Sequence, residues 1–268
     1  MPFTGSGGVR LHWQEQGRGT PVLLVMGHRL SSEMWYPILP ALTAAHRTVW
    51  FDNRGAGLSG FTRKVTVGQL AADAFAVMDA AGLDQAHVFG VSMGGGVALE
   101  MAMQQPTRVK SLVLGCTCML TADKPRMPAI MRLLYYLPPR VLRLLMSGRD
   151  GGLGYGSAAP PERVAFDQAM LARDKFSVAG VVAQAAAVGR YSTTKEAVAA
   201  LAMPALVLHG DEDTLVPFAW GAELADTLPD SRLVKLQGSG HNFLVAAGEQ
   251  ANIVVLDFLR EADAGNGA

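Results

Sequence analysis

The sequence predicts an α/β protein in which a mostly parallel central sheet is flanked by helices and interrupted by one helical insertion. Two observations lead to this fold class. Short apolar runs alternate with helical patterns over most of the chain, which is the sequence signature of parallel strand-helix-strand units. This alternation stops over residues 119–200, where prolines and glycines separate helical segments instead. Half of the 268 residues are hydrophobic, so the chain can bury a large core.

The part of the chain before residue 119 shows the alternation most clearly. Apolar runs bounded by turn residues predict strands at 22–26, 48–51, 87–91 and 111–114. Residues 70–81 carry apolar side chains at the i, i+4, i+7 and i+8 spacing of an amphipathic helix, which Gly82 ends. A second helix is predicted over 93–105.

The insertion over residues 119–200 is called the cap below. Its segment 128–146 is almost entirely apolar apart from three arginines. This segment is either a helix packed on the core or a lid whose apolar side faces a substrate cavity, and we favour the lid. After the cap, the pattern predicts strands at 205–209 and 233–236 and helices near 218–228 and at the carboxyl end. The predicted core therefore comprises residues 1–118 and 201–268.

Composition and charge exclude several classes of protein. The 23 basic and 23 acidic side chains give no net charge and form no basic block, so the chain lacks the pattern of a nucleic-acid-binding protein. It shows neither a signal-peptide pattern nor an apolar run of membrane-spanning length, which favours a cytoplasmic protein without a membrane span. Cys116 and Cys118 would lie on one face of a strand, and two sulfurs are too few for a zinc site. We expect buried structural cysteines and no metal.

Residues 90–94 read Gly-Val-Ser-Met-Gly and join the predicted strand 87–91 to the predicted helix 93–105. Small residues on both sides of a serine allow a sharp strand-to-helix turn that leaves the serine exposed in a strained conformation. At the amino end of a helix the serine also lies near positive partial charge. This pattern predicts that Ser92 is a nucleophile.

A serine nucleophile needs a base that removes its proton and a third group that orients the base. Of the histidines, His241 lies in a glycine-containing loop between a predicted strand and the last helix, where it can reach Ser92. Four others have structural positions, in an early edge strand, a loop, a strand start and a buried strand: His12, His46, His87 and His209. Asp213 is the predicted acid, because Asp211 follows Gly210 too closely to turn toward the histidine. The alternative is that Asp211, Glu212 and Asp213 are all solvated loop residues.

Attack on an ester carbonyl creates a negative charge that needs N–H donors placed in advance. The backbone N–H of Met93, directly after the nucleophile, is one predicted donor. The backbone N–H of His28 is the second, because Gly27 allows a close approach of the loop after the first predicted strand. The His28 and Arg29 side chains would lie at the mouth of the same site. They either pack structurally or recognise the substrate, for example through Arg29 and a carboxylate.

These segments resemble the α/β-hydrolase superfamily over nearly the whole chain. The resemblance rests on the serine turn, on Asp-Asn-Arg-Gly at 52–55, on the acid-bearing segment 209–217 and on Gly240-His241. It implies a helical cap inserted after the sixth strand, where 119–200 lies. One position departs from the usual pattern, since Met26-Gly27-His28-Arg29 replaces the family's His-Gly-Phe-Pro, while a following tryptophan, Trp35, is retained. Arg29 and Trp35 are therefore candidate substrate contacts.

The serine at the turn argues against the branches of this superfamily that use aspartate, the haloalkane dehalogenases and epoxide hydrolases. The resemblance leaves carboxylesterases and lipases, lactonases, carbon–carbon bond hydrolases and cofactor-free perhydrolases. We predict a serine hydrolase that needs no cofactor and cleaves small to medium, largely apolar esters, because the cap is neutral and rich in Met and Leu. A lactonase or C–C bond hydrolase is the alternative, and a non-catalytic ligand binder on the same fold is the competing class. The sequence makes no prediction of oligomeric state.

Overall fold

A computed structural model describes residues 2–124 and 154–265 of the chain. Within these residues one sheet has the strand order β1-β2-β4-β3-β5-β6-β7-β8. The strands are β1 (Phe3–Ser6), β2 (Val9–Gln16), β3 (Pro21–Val25), β4 (Arg47–Phe51), β5 (Ala86–Val91), β6 (Val109–Gly115), β7 (Ala205–Gly210) and β8 (Ser231–Leu236). The helices are α1 (Leu39–Ala45), α2 (Val67–Ala80), α3 (Met93–Gln104), α4 (Pro161–Arg173), α5 (Val178–Arg190), α6 (Lys195–Ala199), α7 (Phe218–Thr227), α8 (Phe243–Ala246) and α9 (Gly248–Gly265).

The sheet is mostly parallel, as predicted. Only β1 and β2 run antiparallel to their neighbours among the described strands, and all pairs from β4 through β8 are parallel. The carboxyl ends of the parallel strands therefore meet at one edge, which is where ligand sites form in open α/β sheets. The loops that follow β3, β5, β6, β7 and β8 all lie at this edge.

Alternate side chains of the strands pack on opposite faces of the sheet. Val88 of β5 belongs to the cluster that includes α2 and α3, whereas its neighbour Phe89 belongs to the cluster that includes α1 and α9. Both residues are fully buried. A strand covered on both faces reads as a continuous apolar run, which is why the sequence pattern located these strands to within two residues.

The described part of the cap is helical and lies between β6 and β7. It contains α4, α5 and α6, and proline or a hydroxyl side chain precedes each of them: Pro160, Ser177 and Thr194. The Ser177 and Thr194 side chains accept hydrogen bonds from the first turns of α5 and α6, which stabilises both helix starts. The predicted lid segment 128–146 lies outside the described residues.

Two sequence predictions need correction. His12 is not in an edge strand, because β1 pairs outside β2 and forms the edge. Cys116 and Cys118 are buried as expected, but they lie beyond the strand, since β6 ends at Gly115 and Cys116 turns the chain with φ 43°. No helix of the described residues is long and apolar enough to cross a membrane.

A buried histidine at the amino end of β5 leads to a prediction about the pH dependence of stability. The ring of His87 bonds the Ser111 hydroxyl at 2.7 Å and the Asp263 carboxylate at 3.0 Å. Burial lowers the pKa of His87, although Asp263 opposes the shift. The unfolded chain therefore binds this proton at a higher pH than the folded chain, so His87 lowers the free energy of unfolding as the pH falls below about 6.5. Between about pH 7.5 and pH 5, we expect urea unfolding to show a smaller loss of stability in His87→Gln than in the parent. An equal pH slope in both proteins would contradict this.

Candidate active site

Ser92 lies at the turn between β5 and α3 in a conformation that few residues adopt. Its φ is 55° and its ψ is −120°, a region that is strained for any residue with a Cβ. The backbone N–H of Ser92 donates to the carbonyl oxygen of Gly115 at 2.8 Å. The hydroxyl of Thr117 donates to the carbonyl oxygen of Ser92 at 2.8 Å. The end of β6 and the loop after it therefore hold both backbone groups of the strained serine.

The two glycines around Ser92 are required by close backbone approaches. A Cβ at Gly94 would overlap the carbonyl oxygen of Val25 at the end of β3, and a Cβ at Gly90 would overlap the carbonyl oxygen of Gly94. Gly27, on the loop after β3, lies so near that an added Cβ would be 3.4 Å from Ser92 Cβ. The glycine pattern read from the sequence therefore brings the loop after β3 against the serine.

The structure brings Ser92, His241 and Asp213 together in one hydrogen-bonded series. Nε2 of His241 lies 2.9 Å from Ser92 Oγ, and its Nδ1 lies 2.7 Å from Asp213 Oδ2. His241 comes from the loop between β8 and α8, and Asp213 comes from the loop after β7. With Nδ1–H donating to the carboxylate, Nε2 accepts the Ser92 hydroxyl proton, which is the arrangement in which an imidazole can act as a base.

The Asp213 carboxylate is buried and fully supplied with donors. Oδ1 accepts the backbone N–H groups of Leu215 at 2.8 Å and Val216 at 2.9 Å. Burial alone would raise the pKa of Asp213, but hydrogen bonds from His209, from His241 and from the N–H of Val216 outweigh it and hold the pKa well below its ordinary value. The carboxylate therefore stays ionised over the whole range in which a histidine titrates.

The neighbouring acids Asp211 and Glu212 point elsewhere and are exposed. Asp211 accepts the N–H of Gly238 at 2.7 Å, and Glu212 accepts the N–H and hydroxyl of Ser157 in the cap, both at 2.6 Å. The alternative in which all three acids are solvated loop residues does not hold for Asp213.

Two side chains beside Asp213 were not identified from the sequence as part of the site. Nε2 of His209 donates to the carbonyl oxygen of Val216 at 2.8 Å and lies 3.4 Å from Asp213 Oδ2. Cys116 is the second of these side chains. Its sulfur, a His209 ring nitrogen and an Asp213 carboxylate oxygen all lie within 4.8 Å of one another. Burial raises the pKa of the Cys116 thiol, with the charge of Asp213 acting in the same direction, so the thiol stays protonated. Both groups therefore surround the carboxylate as hydrogen-bonding neighbours.

The two predicted N–H donors belong to the residue directly after Ser92 and to the residue directly after Gly27. Met93 is the first residue of α3, where a backbone N–H has no acceptor within its own helix. His28 follows Gly27 in the loop after β3, which packs on Ser92. We call residues 27–29 the oxyanion loop.

The His28 and Arg29 side chains, which were predicted to lie at the mouth of the site, contact residues of the cap. The His28 ring donates from Nε2 to the carbonyl oxygen of Val181 in α5 at 3.0 Å, and burial lowers the pKa of His28 to about 4, so the ring is neutral at neutral pH. The Arg29 guanidinium lies 5.4 Å from the centre of the Phe176 ring. Trp35 is fully buried against Phe89, with ring centres 4.9 Å apart, so its side chain is not exposed at the mouth of the site.

The cap also holds the loop that carries His241. The N–H of Gly240 donates to the carbonyl oxygen of Tyr155 at 2.9 Å, and the N–H of Asn242 donates to that of Gly154 at 3.1 Å. The buried Asp167 of α4 accepts hydrogen bonds from the Tyr155 hydroxyl at 2.8 Å and from the Asn242 amide at 3.0 Å. No sequence pattern points to Asp167, because a single acid in a polar helix has no distinctive spacing.

Comparisons with known proteins agree with this fold. Residues 20–147 match the family model described as alpha/beta hydrolase fold, and residues 178–266 match the model described as TAP-like protein. The chain is 30% identical to the protein named "Putative carbamate hydrolase RutD" of Azorhizobium caulinodans, over 98% of this chain and 100% of that protein. It is 27% identical to 2-hydroxymuconate semialdehyde hydrolase of Pseudomonas sp., over 96% of this chain and 93% of that protein.

A solved structure shows the same fold over nearly the full length. The thermophilic esterase of Thermogutta terrifontis has a TM-score of 0.81 to this chain at 24% identity, and the match covers 97% of each chain. The two family models between them span the turn at Ser92 and the loops of Asp213 and His241. The resemblance read from the sequence is confirmed: the chain is a hydrolase and belongs to the α/β-hydrolase superfamily.

Proposed function

We propose that the protein hydrolyses carboxylic esters of small to medium, largely apolar substrates through an acyl-enzyme intermediate on Ser92. The observation that supports this most directly is the hydrogen-bonded series from Ser92 Oγ through His241 to Asp213, with distances of 2.9 and 2.7 Å. A hydroxyl, an imidazole and a carboxylate in this order supply a nucleophile, a base and a group that fixes the tautomer of the base.

In the first half of the reaction, Ser92 Oγ attacks the ester carbonyl while Nε2 of His241 takes the hydroxyl proton. The carbonyl oxygen becomes an oxyanion, which the backbone N–H groups of His28 and Met93 stabilise. When the tetrahedral intermediate collapses, the bond to the leaving oxygen breaks and His241 gives its proton to the departing alcohol. The acyl group remains on Ser92.

In the second half, water replaces the alcohol. His241 removes a proton from the water as it attacks the acyl-enzyme, and the same N–H groups hold the second oxyanion. Collapse breaks the bond to Ser92 Oγ, which regains its proton from His241, and the carboxylic acid leaves. The ionised Asp213 stabilises the imidazolium that forms in both halves.

Among the described residues, the charges near the site favour an uncharged substrate. The His28 ring is neutral at neutral pH because burial lowers its pKa to about 4. The Arg29 guanidinium lies over Phe176 and close enough to the Asp174 carboxyl to lower its pKa, although burial, the larger effect, raises it. An anionic substrate would need a fixed cation that is not already engaged with protein groups. An apolar ester needs none.

A second candidate is a related hydrolysis on the same residues. Relatives similar over their whole length carry the names of a carbamate hydrolase and of 2-hydroxymuconate semialdehyde hydrolase. Cleavage of a carbamate, a lactone or the C–C bond of a ring-fission product needs the same nucleophile and N–H donors, and differs in the leaving group. A non-catalytic binder has no use for a strained serine that is hydrogen-bonded to a buried histidine.

A substrate panel tests the proposal. The purified protein is assayed with p-nitrophenyl esters of increasing acyl length, a lactone, an aryl carbamate and a ring-fission dienoate, and is labelled in parallel with a fluorophosphonate probe. We expect labelling at Ser92 and the highest kcat/KM on an uncharged ester. A higher kcat/KM on the dienoate or the carbamate would select the second candidate. A protein that neither reacts with the probe nor turns over any substrate would contradict both.

A further inference from the structure

A buried glutamine in the cap contacts the oxyanion loop. Gln184 of α5 is fully buried, and both groups of its amide are bonded. Oε1 accepts the backbone N–H of Arg29 at 2.9 Å, and Nε2 donates to the carbonyl oxygen of Arg54 at 2.8 Å. A buried amide is costly unless such bonds compensate it, so Gln184 is fixed in one orientation.

The residue that Gln184 holds has a strained backbone. Among the described residues, the non-glycine residues with positive φ are Arg29, Ser92 and Cys116, and Arg29 has φ 75°. A residue with a Cβ stays in this region only when its surroundings hold it there. The adjacent His28 bonds the same helix through Nε2 and the carbonyl oxygen of Val181. Helix α5 therefore holds the oxyanion loop at two successive residues.

We propose that Gln184 is a positioning residue for the oxyanion hole. By holding the N–H of Arg29, it keeps the strained loop in the conformation that directs the preceding N–H, that of His28, toward the oxyanion. An oxyanion donor acts only when it is placed before the charge develops, so a loop that relaxes loses transition-state stabilisation without losing substrate affinity. This inference rests on the proposed function and makes the cap part of the catalytic apparatus as well as a cover.

Gln184→Met tests this, because methionine has a similar length and helix propensity but forms neither hydrogen bond. Loss of an oxyanion donor typically costs about 10²- to 10³-fold in kcat, and a displaced donor costs less. We expect kcat on the best ester to fall about 10- to 100-fold with KM nearly unchanged. The rate of Ser92 labelling by the fluorophosphonate should fall in parallel, because phosphonylation creates charge at the same oxygen.

Tyr191→Phe is the matched control. The Tyr191 hydroxyl, directly after α5, donates to the Glu100 carboxylate of α3 at 2.7 Å, so this variant also loses a hydrogen bond between cap and core. The hydroxyl that it removes bonds a residue of α3, which is outside the oxyanion loop. We expect a lower Tm and an unchanged kcat. If Tyr191→Phe lowered kcat as much as Gln184→Met at an equal loss of Tm, general destabilisation would be the cause and the proposal would be overturned.

Two further variants examine the mechanism. In Gln184→Glu, a protonated carboxyl at this buried position is neutral, accepts from the N–H of Arg29 and donates to the carbonyl oxygen of Arg54. This variant should therefore retain most of kcat. Arg29→Gly added to Gln184→Met should recover part of the lost kcat, because glycine adopts φ 75° without strain. Gln184→Met with the parent's kcat, or with an effect on KM alone, would overturn the inference while leaving the proposed function intact. Absence of both labelling and turnover in the parent would overturn both.

Discussion

Ser92→Ala should lower kcat/KM for the best ester by roughly 10⁶-fold, the usual loss when a serine nucleophile is removed. The alanine keeps the backbone turn but has no oxygen to form the acyl-enzyme. His241 also loses its proton donor, the serine hydroxyl that lies 2.9 Å from Nε2 in the parent. Initial rates with a p-nitrophenyl ester measure this loss, and mass spectrometry should find no fluorophosphonate adduct.

The control for this substitution is Ser239→Ala. Ser239 is buried, lies in the loop of His241, and has no hydrogen-bond partner for its hydroxyl among the described residues. Its removal should change kcat/KM by no more than a few fold, and both variants should keep the circular dichroism spectrum of the parent. Activity retained in Ser92→Ala would show that the nucleophile lies elsewhere.

Asp213→Asn should lower kcat by roughly 10⁴-fold. In the parent, the Asp213 carboxylate accepts Nδ1–H of His241 at 2.7 Å, which leaves Nε2 free to accept the serine proton. An amide NH₂ at this position would instead donate to Nδ1, place the ring proton on Nε2 and prevent proton transfer from Ser92. Because the low pKa of Asp213 keeps it ionised, the pH profile of the parent should show no fall in kcat that belongs to this acid above pH 4 or so.

Asp211→Asn is the matched control for the acid. Asp211 is exposed and bonds the N–H of Gly238 at 2.7 Å, a contact that an asparagine oxygen can keep. Its kcat should stay within a few fold of the parent. If Asp211→Asn lost the activity and Asp213→Asn kept it, the assignment of the acid would be wrong.

The buried strands and the meeting of Ser92, His241 and Asp213 could be predicted because each has a local signal. A strand that is covered on both faces is a continuous apolar run, and Gly90 and Gly94 are needed by backbone contacts within the turn itself. The meeting of serine, acid and histidine follows from loops that all leave the same edge of a parallel sheet. Asp213 could be chosen over Asp211 by its distance from the end of the strand.

Other features depend on contacts between distant segments and left no such signal. Gln184 lies in an alanine-rich helix, and its role appears only when the chain places it beside Arg29, 155 positions earlier. The edge hairpin of β1 and β2 is half exposed and polar, so its strands lack a continuous apolar run. Trp35 follows the oxyanion loop along the chain, a position that suggests a residue of the substrate pocket. Its large apolar ring is instead buried against Phe89.

The separation of Ser92 and His241 along the chain has a consequence for folding. The two residues are 149 positions apart, and the strands that carry them lie on either side of β6 and β7 in the sheet. Closing so large a loop is entropically costly and slow, so this hydrogen bond belongs to the last contacts that the chain makes. Helices of local origin form much earlier. During refolding, helical signal therefore returns before hydrolysis does, and recovered turnover reports that the whole sheet is in register.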